Sequence, residues 1–147
     1  MILHTASEGV TLAKKLEIDS AGFYESLAQR YIKDAETLLS FATENKKNMT
    51  QIERTYYGVI TDAIEACFAF NINPDAYTFN ITIPEETNYA DVLNRALQIE
   101  EKIVKFYSDA AEQSKSLMAD IPRVFTMVAK KREARRQKLK SLLSGEA

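Results

Sequence analysis

Glu17 and Glu100 each precede a Phe-Tyr pair by the same interval, giving Glu17 with Phe23-Tyr24 and Glu100 with Phe106-Tyr107. Both glutamates fall on helical seam positions that otherwise carry mostly apolar residues, so each carboxylate is expected to face inward and to need a compensating charge. Asn45 and Asn48 stand three residues apart, as do Arg132 and Arg135, and that spacing keeps both members of a pair on one helix face. Two carboxylates and two guanidinium groups sum to zero. A forked guanidinium can satisfy a carboxylate through two hydrogen bonds, and the asparagine amides can complete the layer. Any member left unpaired would cost about 1 to 3 kcal/mol. Alternatively, long arginines near a helix C-terminus can snorkel to solvent and leave the glutamates partly wet. Tyr24 and Tyr107 read as core rings whose hydroxyls reach a polar partner, with a redox role as the alternative.

The elements that position these residues follow from helical periodicity. Four glycines and three prolines in 147 residues, with Pro74 and Pro84 in one central stretch, permit long helices on both sides of it. Thr5 and Glu8 form a capping box ahead of a first helix whose seam runs Val10, Ala13, Glu17, Ser20, Tyr24, Leu27 and Tyr31, widened by Leu16 and Phe23. Asp34 suits the cap of a second, with Leu38, Phe41, Asn45, Asn48, Ile52, Thr55 and Val59 inward and a broken continuation toward Phe68. From Asn71 to Glu86 the prolines and the alternation Tyr77, Phe79, Ile81, Ile83 predict an extended crossover. A third helix starts near Asn88, carries Leu93, Ala96, Glu100, Ile103, Tyr107 and Ala110 on its seam, and ends before Ser114. Asp120 and Pro122 suit the start of a fourth, with Phe125, Val128, Arg132, Arg135, Leu139 and Leu142 inward. A shift of 83 residues lays Ala13, Glu17, Phe23, Tyr24 and Ala28 on Ala96, Glu100, Phe106, Tyr107 and Ala111, which suggests a repeat. The expectation is an all-α single domain over residues 1–147, an up-down-down-up four-helix bundle with a long crossover between helices 2 and 3.

The repeated Glu to Phe-Tyr pattern resembles helices 1 and 3 of the rubrerythrin family, within the ferritin-like di-iron carboxylate proteins. That resemblance implies one bridging glutamate each from helices 1 and 3, matched by Glu17 and Glu100, and a Glu-x-x-His pair each from helices 2 and 4. Laid on the family motif, those two pairs fall on Asn45 with Asn48 and on Arg132 with Arg135, so four of the six ligand positions depart from the pattern. A slip by one residue brings in Glu44 or Glu133, but it turns the side chain about 100° off the seam, and the residues three further on are Lys47 and Arg136. The only histidine, His4, precedes the first helix and is expected in solvent. The vestigial layer is therefore expected to hold no metal, with arginine in place of the cations.

Composition narrows the functional classes. Charged residues are 27% and hydrophobic ones 46%, no apolar run approaches the ~20 residues of a membrane span, and Met1 to Val10 do not resemble a secretory signal, so a cytoplasmic location away from membranes is expected. The single cysteine, Cys67, reads as a small apolar residue and supplies neither a disulfide nor the four-cysteine iron site of a rubredoxin module. The net charge of -2 gives no overall attraction to nucleic acid. The basic run Lys130, Lys131, Arg132, Arg135, Arg136, Lys138 and Lys140 has no interleaved aromatics to stack on bases. A non-catalytic ferritin-like domain without cofactor follows as the expectation, a homodimer by family resemblance, binding a protein partner or a small anion beside the arginines. The alternative is a rubrerythrin-like iron oxidoreductase acting on peroxide or dioxygen.

Overall fold

The computed structural model describes residues 2–59, 69–117 and 120–145, and these residues are all-helical, built on four long helices. The expected continuation of the second helix toward Phe68, and Cys67 itself, lie outside the described residues.

Helix α1 (Ala6–Arg30) starts where the capping box placed it. The Glu8 N–H donates to Thr5 Oγ1 at 3.2 Å, and Glu8 Oε1 accepts the N–H groups of Thr5 and His4 at 3.1 and 3.0 Å. Those bonds hold the Glu8 carboxyl below its ordinary pKa, the His4 backbone contributing most. A 3-10 turn (Ile32–Asp34) leads directly into α2 (Ala35–Val59). The Asp34 carboxylate at this junction accepts the Tyr89 hydroxyl at 2.7 Å. Helix α3 (Tyr89–Gln113) opens at Asn88, whose side chain accepts the Asp91 N–H, and α4 spans Asp120–Ser144.

Helix α1 packs chiefly on α2 and α3 on α4, and the two pairs close over one apolar core. Leu27, Leu38, Leu93, Ile103 and Leu139 are fully buried within it. An edge-to-face aromatic set of Tyr77, Phe106, Phe125 and Phe70 fills one end, ring centres 5.4 to 6.5 Å apart. Thr55, Val59 and Leu142, expected inside, are only half-buried, because they lie toward helix ends where the facing helix offers less cover.

The stretch 69–88 is tied to both ends of α1. Near its start, Leu3 and Ile72 exchange backbone hydrogen bonds of 2.7 and 3.1 Å, and Phe70 covers Gly9 so closely that a Cβ there would sit 2.8 Å from the ring. Near its end, the Arg30 guanidinium donates to the carbonyls of Ile83, Pro84 and Glu85, while Tyr31 stacks on Tyr89 with ring centres 4.8 Å apart. The alternation read as one extended run is interrupted: Pro74–Tyr77 form a 3-10 turn that buries Tyr77, and Ile81 is exposed. His4 is half-buried, with Nδ1 3.2 Å from the Phe70 carbonyl, because this stretch folds over the start of α1; the expectation of a solvent histidine is corrected accordingly.

Candidate functional site

Midway along the bundle, Glu17, Asn45, Asn48, Glu100 and Arg132 have no solvent exposure and Arg135 only 2%. Arg132 is the centre of the cluster. Its Nη1 donates to both Glu100 oxygens, at 3.0 and 2.8 Å, and its Nη2 to Glu17 Oε2 and to Ser20 Oγ, the latter at 3.0 Å. One guanidinium thus spans the carboxylates of α1 and α3. Burial by itself would lower the Arg132 pKa, but Glu100 and Glu17 outweigh it and hold the pKa above its ordinary value.

The tyrosines cross between the two halves. Tyr24 on α1 donates to Glu100 Oε2 at 2.6 Å, and Tyr107 on α3 donates to Glu17 Oε1 at 2.8 Å. Burial, followed by the carboxylate each one faces, pushes both phenol pKa values well above the usual tyrosine range. Both stay neutral donors at ordinary pH.

The α2 pair sits against α1. The Asn45 amide donates to Ser20 Oγ at 2.7 Å and to the Glu17 carbonyl at 3.1 Å, and the Asn48 amide donates to Glu17 Oε1 at 3.3 Å. Among the described residues Oδ1 of each, with Nε of Arg132 and of Arg135, has no hydrogen-bond partner, so there the asparagines join the layer through their donor side. Arg135 turns toward the rim. It donates to the Phe41 carbonyl at 3.0 Å and to Glu44 Oε1 at 2.7 Å, and lies over the rings of Phe41 and Tyr24 at 4.9 and 5.3 Å. Its Nη1 stands 3.5 Å from Glu100 Oε2.

Two participants were not assigned from sequence. Ser20 bridges Arg132 and Asn45, and its place three residues after Glu17 on the same seam was the available signal. Glu44 supplies a third carboxylate, so the count of two negative against two positive charges is corrected to three against two. Its side chain is 36% exposed, which lets it reach Arg135 from beside the seam. Glu133 and Arg136, the corresponding neighbours on α4, pair with each other at 2.7 Å instead. Lys47 is exposed. Of the basic run on α4, Arg132 and Arg135 point into the bundle and Arg136 is held by Glu133.

Among the described residues no group of three or more His, Cys, Asp or Glu side chains gathers as a metal cluster would, and no helix is long and apolar enough to cross a membrane. Comparison of the chain with protein-family models, with curated proteins and with solved structures gives no match.

Proposed function

We propose that this chain is a ferritin-like bundle of the rubrerythrin kind, running up-down-down-up, in which an arginine-centred ion-pair layer takes the place of the two metal ions. In this reading the domain acts by binding a partner or a small ligand and not by catalysis. The observation that carries the proposal is the Arg132 guanidinium lying between Glu17 and Glu100. A guanidinium has five N–H donors and no lone pair to give a metal, and its fixed positive charge opposes a second cation at the same carboxylates. The donor set therefore does not fit a di-iron centre, since Asn45, Asn48, Arg132 and Arg135 hold the positions where the family places its Glu-x-x-His pairs.

The topology part of the proposal is supported by the crossed tyrosines. Glu17 meets Tyr107 and Tyr24 meets Glu100, so α3 runs against α1. The stretch that meets α1 first at Leu3 and later at Arg30 has the course of a crossover.

Elemental analysis of protein from iron-supplemented cells tests the reading, combined with thermal melts with and without chelator. Less than roughly a tenth of a metal per chain, with a melt indifferent to chelator, is the expected result. About two metals per chain with a chelator-sensitive melt would overturn it and bring the peroxide- or dioxygen-reducing enzyme forward.

A further inference from the structure

On the outer face of α3, a cavity of about 620 Å³ opens beneath residues 78–80, within the roughly 300 to 1,000 Å³ range of small-molecule sites. Its two cations are Arg95 and Lys102, seven residues apart and so on one helix face about 10 Å apart along the axis. Each is anchored to the backbone of the overlying stretch: Arg95 Nη1 donates to the Thr82 carbonyl and Lys102 Nζ to the Thr78 carbonyl, the latter at 2.8 Å. A carbonyl orients a cation without neutralising it. Among the described residues neither Arg95 nor Lys102 forms an ion pair, although Arg95 is half-buried. Between the two charges the lining is mixed: Phe79 of the overlying stretch and the buried Ile99 of α3 are apolar, and Asn80 and Gln98 give amide groups.

We infer that this cavity binds a small elongated dianion, with an oxyanion group at each end and a middle that meets both an apolar surface and hydrogen-bonding groups. The separation of the cations selects the length, the two held charges select the ends, and Phe79 with Ile99 selects the body. This deepens the small-ligand half of the proposed function and rests on that half alone. The metal analysis above succeeds or fails regardless of what binds on α3.

Titration calorimetry of the full chain at low ionic strength, with suberate, octanoate and 1,6-hexanedisulfonate as probes, tests the inference. At least one dianion is expected to bind about tenfold or more tightly than octanoate, and the better of the two identifies carboxylate or sulfonate as the preferred end group. Lys102→Gln is expected to reduce that dianion to the octanoate level with an unchanged melting temperature, and Lys102→Arg to restore it. Dianions that bind no more tightly than octanoate, or that bind Lys102→Gln as tightly as the parent, would overturn the inference.

Discussion

Tyr24 on α1 hydrogen-bonds Glu100 on α3 at 2.6 Å, and the same bond recurs with the halves exchanged, Tyr107 to Glu17 at 2.8 Å. Tyr107 follows Tyr24 by 83 residues and Glu100 follows Glu17 by 83, so each half of the sequence repeat donates to the carboxylate of the other. Arg132, which lies between those carboxylates, has no such twin: Asn45 faces the layer from α2. Most of the consequences that follow come from this asymmetric closure of a symmetric frame.

Arg132→Leu should destabilise the fold by about 3 to 5 kcal/mol, because it leaves the buried carboxylates of Glu17 and Glu100 without the cation they share. Combining Arg132→Leu with Glu17→Gln and Glu100→Gln should cost less than the single change, since no buried charge is then left unpaired and the glutamine carbonyls can still accept from Tyr107 and Tyr24. Urea unfolding midpoints of the two variants check the order.

The buried phenols make stability fall in alkali. Their folded pKa values are raised, so between the ordinary tyrosine pKa near ~10 and the folded value the native state holds protons that the unfolded state releases. The contribution is complete below about pH 10 and is lost as pH rises toward the folded values. Phenolate absorbance should show Tyr24, Tyr107 and the hydrogen-bonded Tyr77 withheld from ionisation above pH ~10 until the protein unfolds. Tyr24→Phe and Tyr107→Phe should each cost about 2 kcal/mol at neutral pH and flatten the alkaline decline.

Gly9→Ala sets two effects against each other. Alanine favours a helix interior by about 1 kcal/mol, but its Cβ would press within 2.8 Å of the Phe70 ring, and over-packing costs about 1 to 3 kcal/mol. Phe70 is 3% exposed and packs on Phe125, so it has little room to withdraw. Net destabilisation, measured as a lower melting temperature, is expected. Gly22→Ala, where a Cβ would meet nothing within 4 Å, should be neutral or stabilising.

On the proposed ferritin-like reading, introducing the rubrerythrin ligand pattern with Asn45→Glu, Asn48→His, Arg132→Glu and Arg135→His should confer iron binding and a chelator-sensitive melt. A folded variant that takes up no iron would show that the family motif has been laid on the wrong residues of α2 and α4.

Much of this arrangement was legible because it obeys helical spacing. The Thr5–Glu8 box, the Asn88 start and the inward positions of Glu17, Asn45, Asn48, Glu100, Arg132 and Arg135 all follow from periodicity, and local capping chemistry decides them. Glu44 was not legible as a partner, because a side chain at the edge of the seam reaches inward through its own length and not through its angular position. His4 was misjudged, and the Tyr89 contact of Asp34 was missed, for a related reason. Tyr89 and Phe70, distant in sequence, supply contacts that no neighbouring residue announces. That one arginine would serve both glutamates was not legible, because charge counting carries no geometry and one guanidinium has enough donors for two acceptors.

The bridge made by Arg132 also fixes how the helices align lengthwise. Apolar side chains tolerate sliding, since one leucine can replace another in the same groove. A slip of α4 by a single turn that brings Val128 level with the glutamates would carry the guanidinium about 5.4 Å away from Glu17 and Glu100 and leave those carboxylates with only the neutral donors Tyr24, Tyr107 and Asn48. The apolar seams bring the four helices together, and this one side chain acts as the index pin that admits a single longitudinal setting of α4 against α1 and α3.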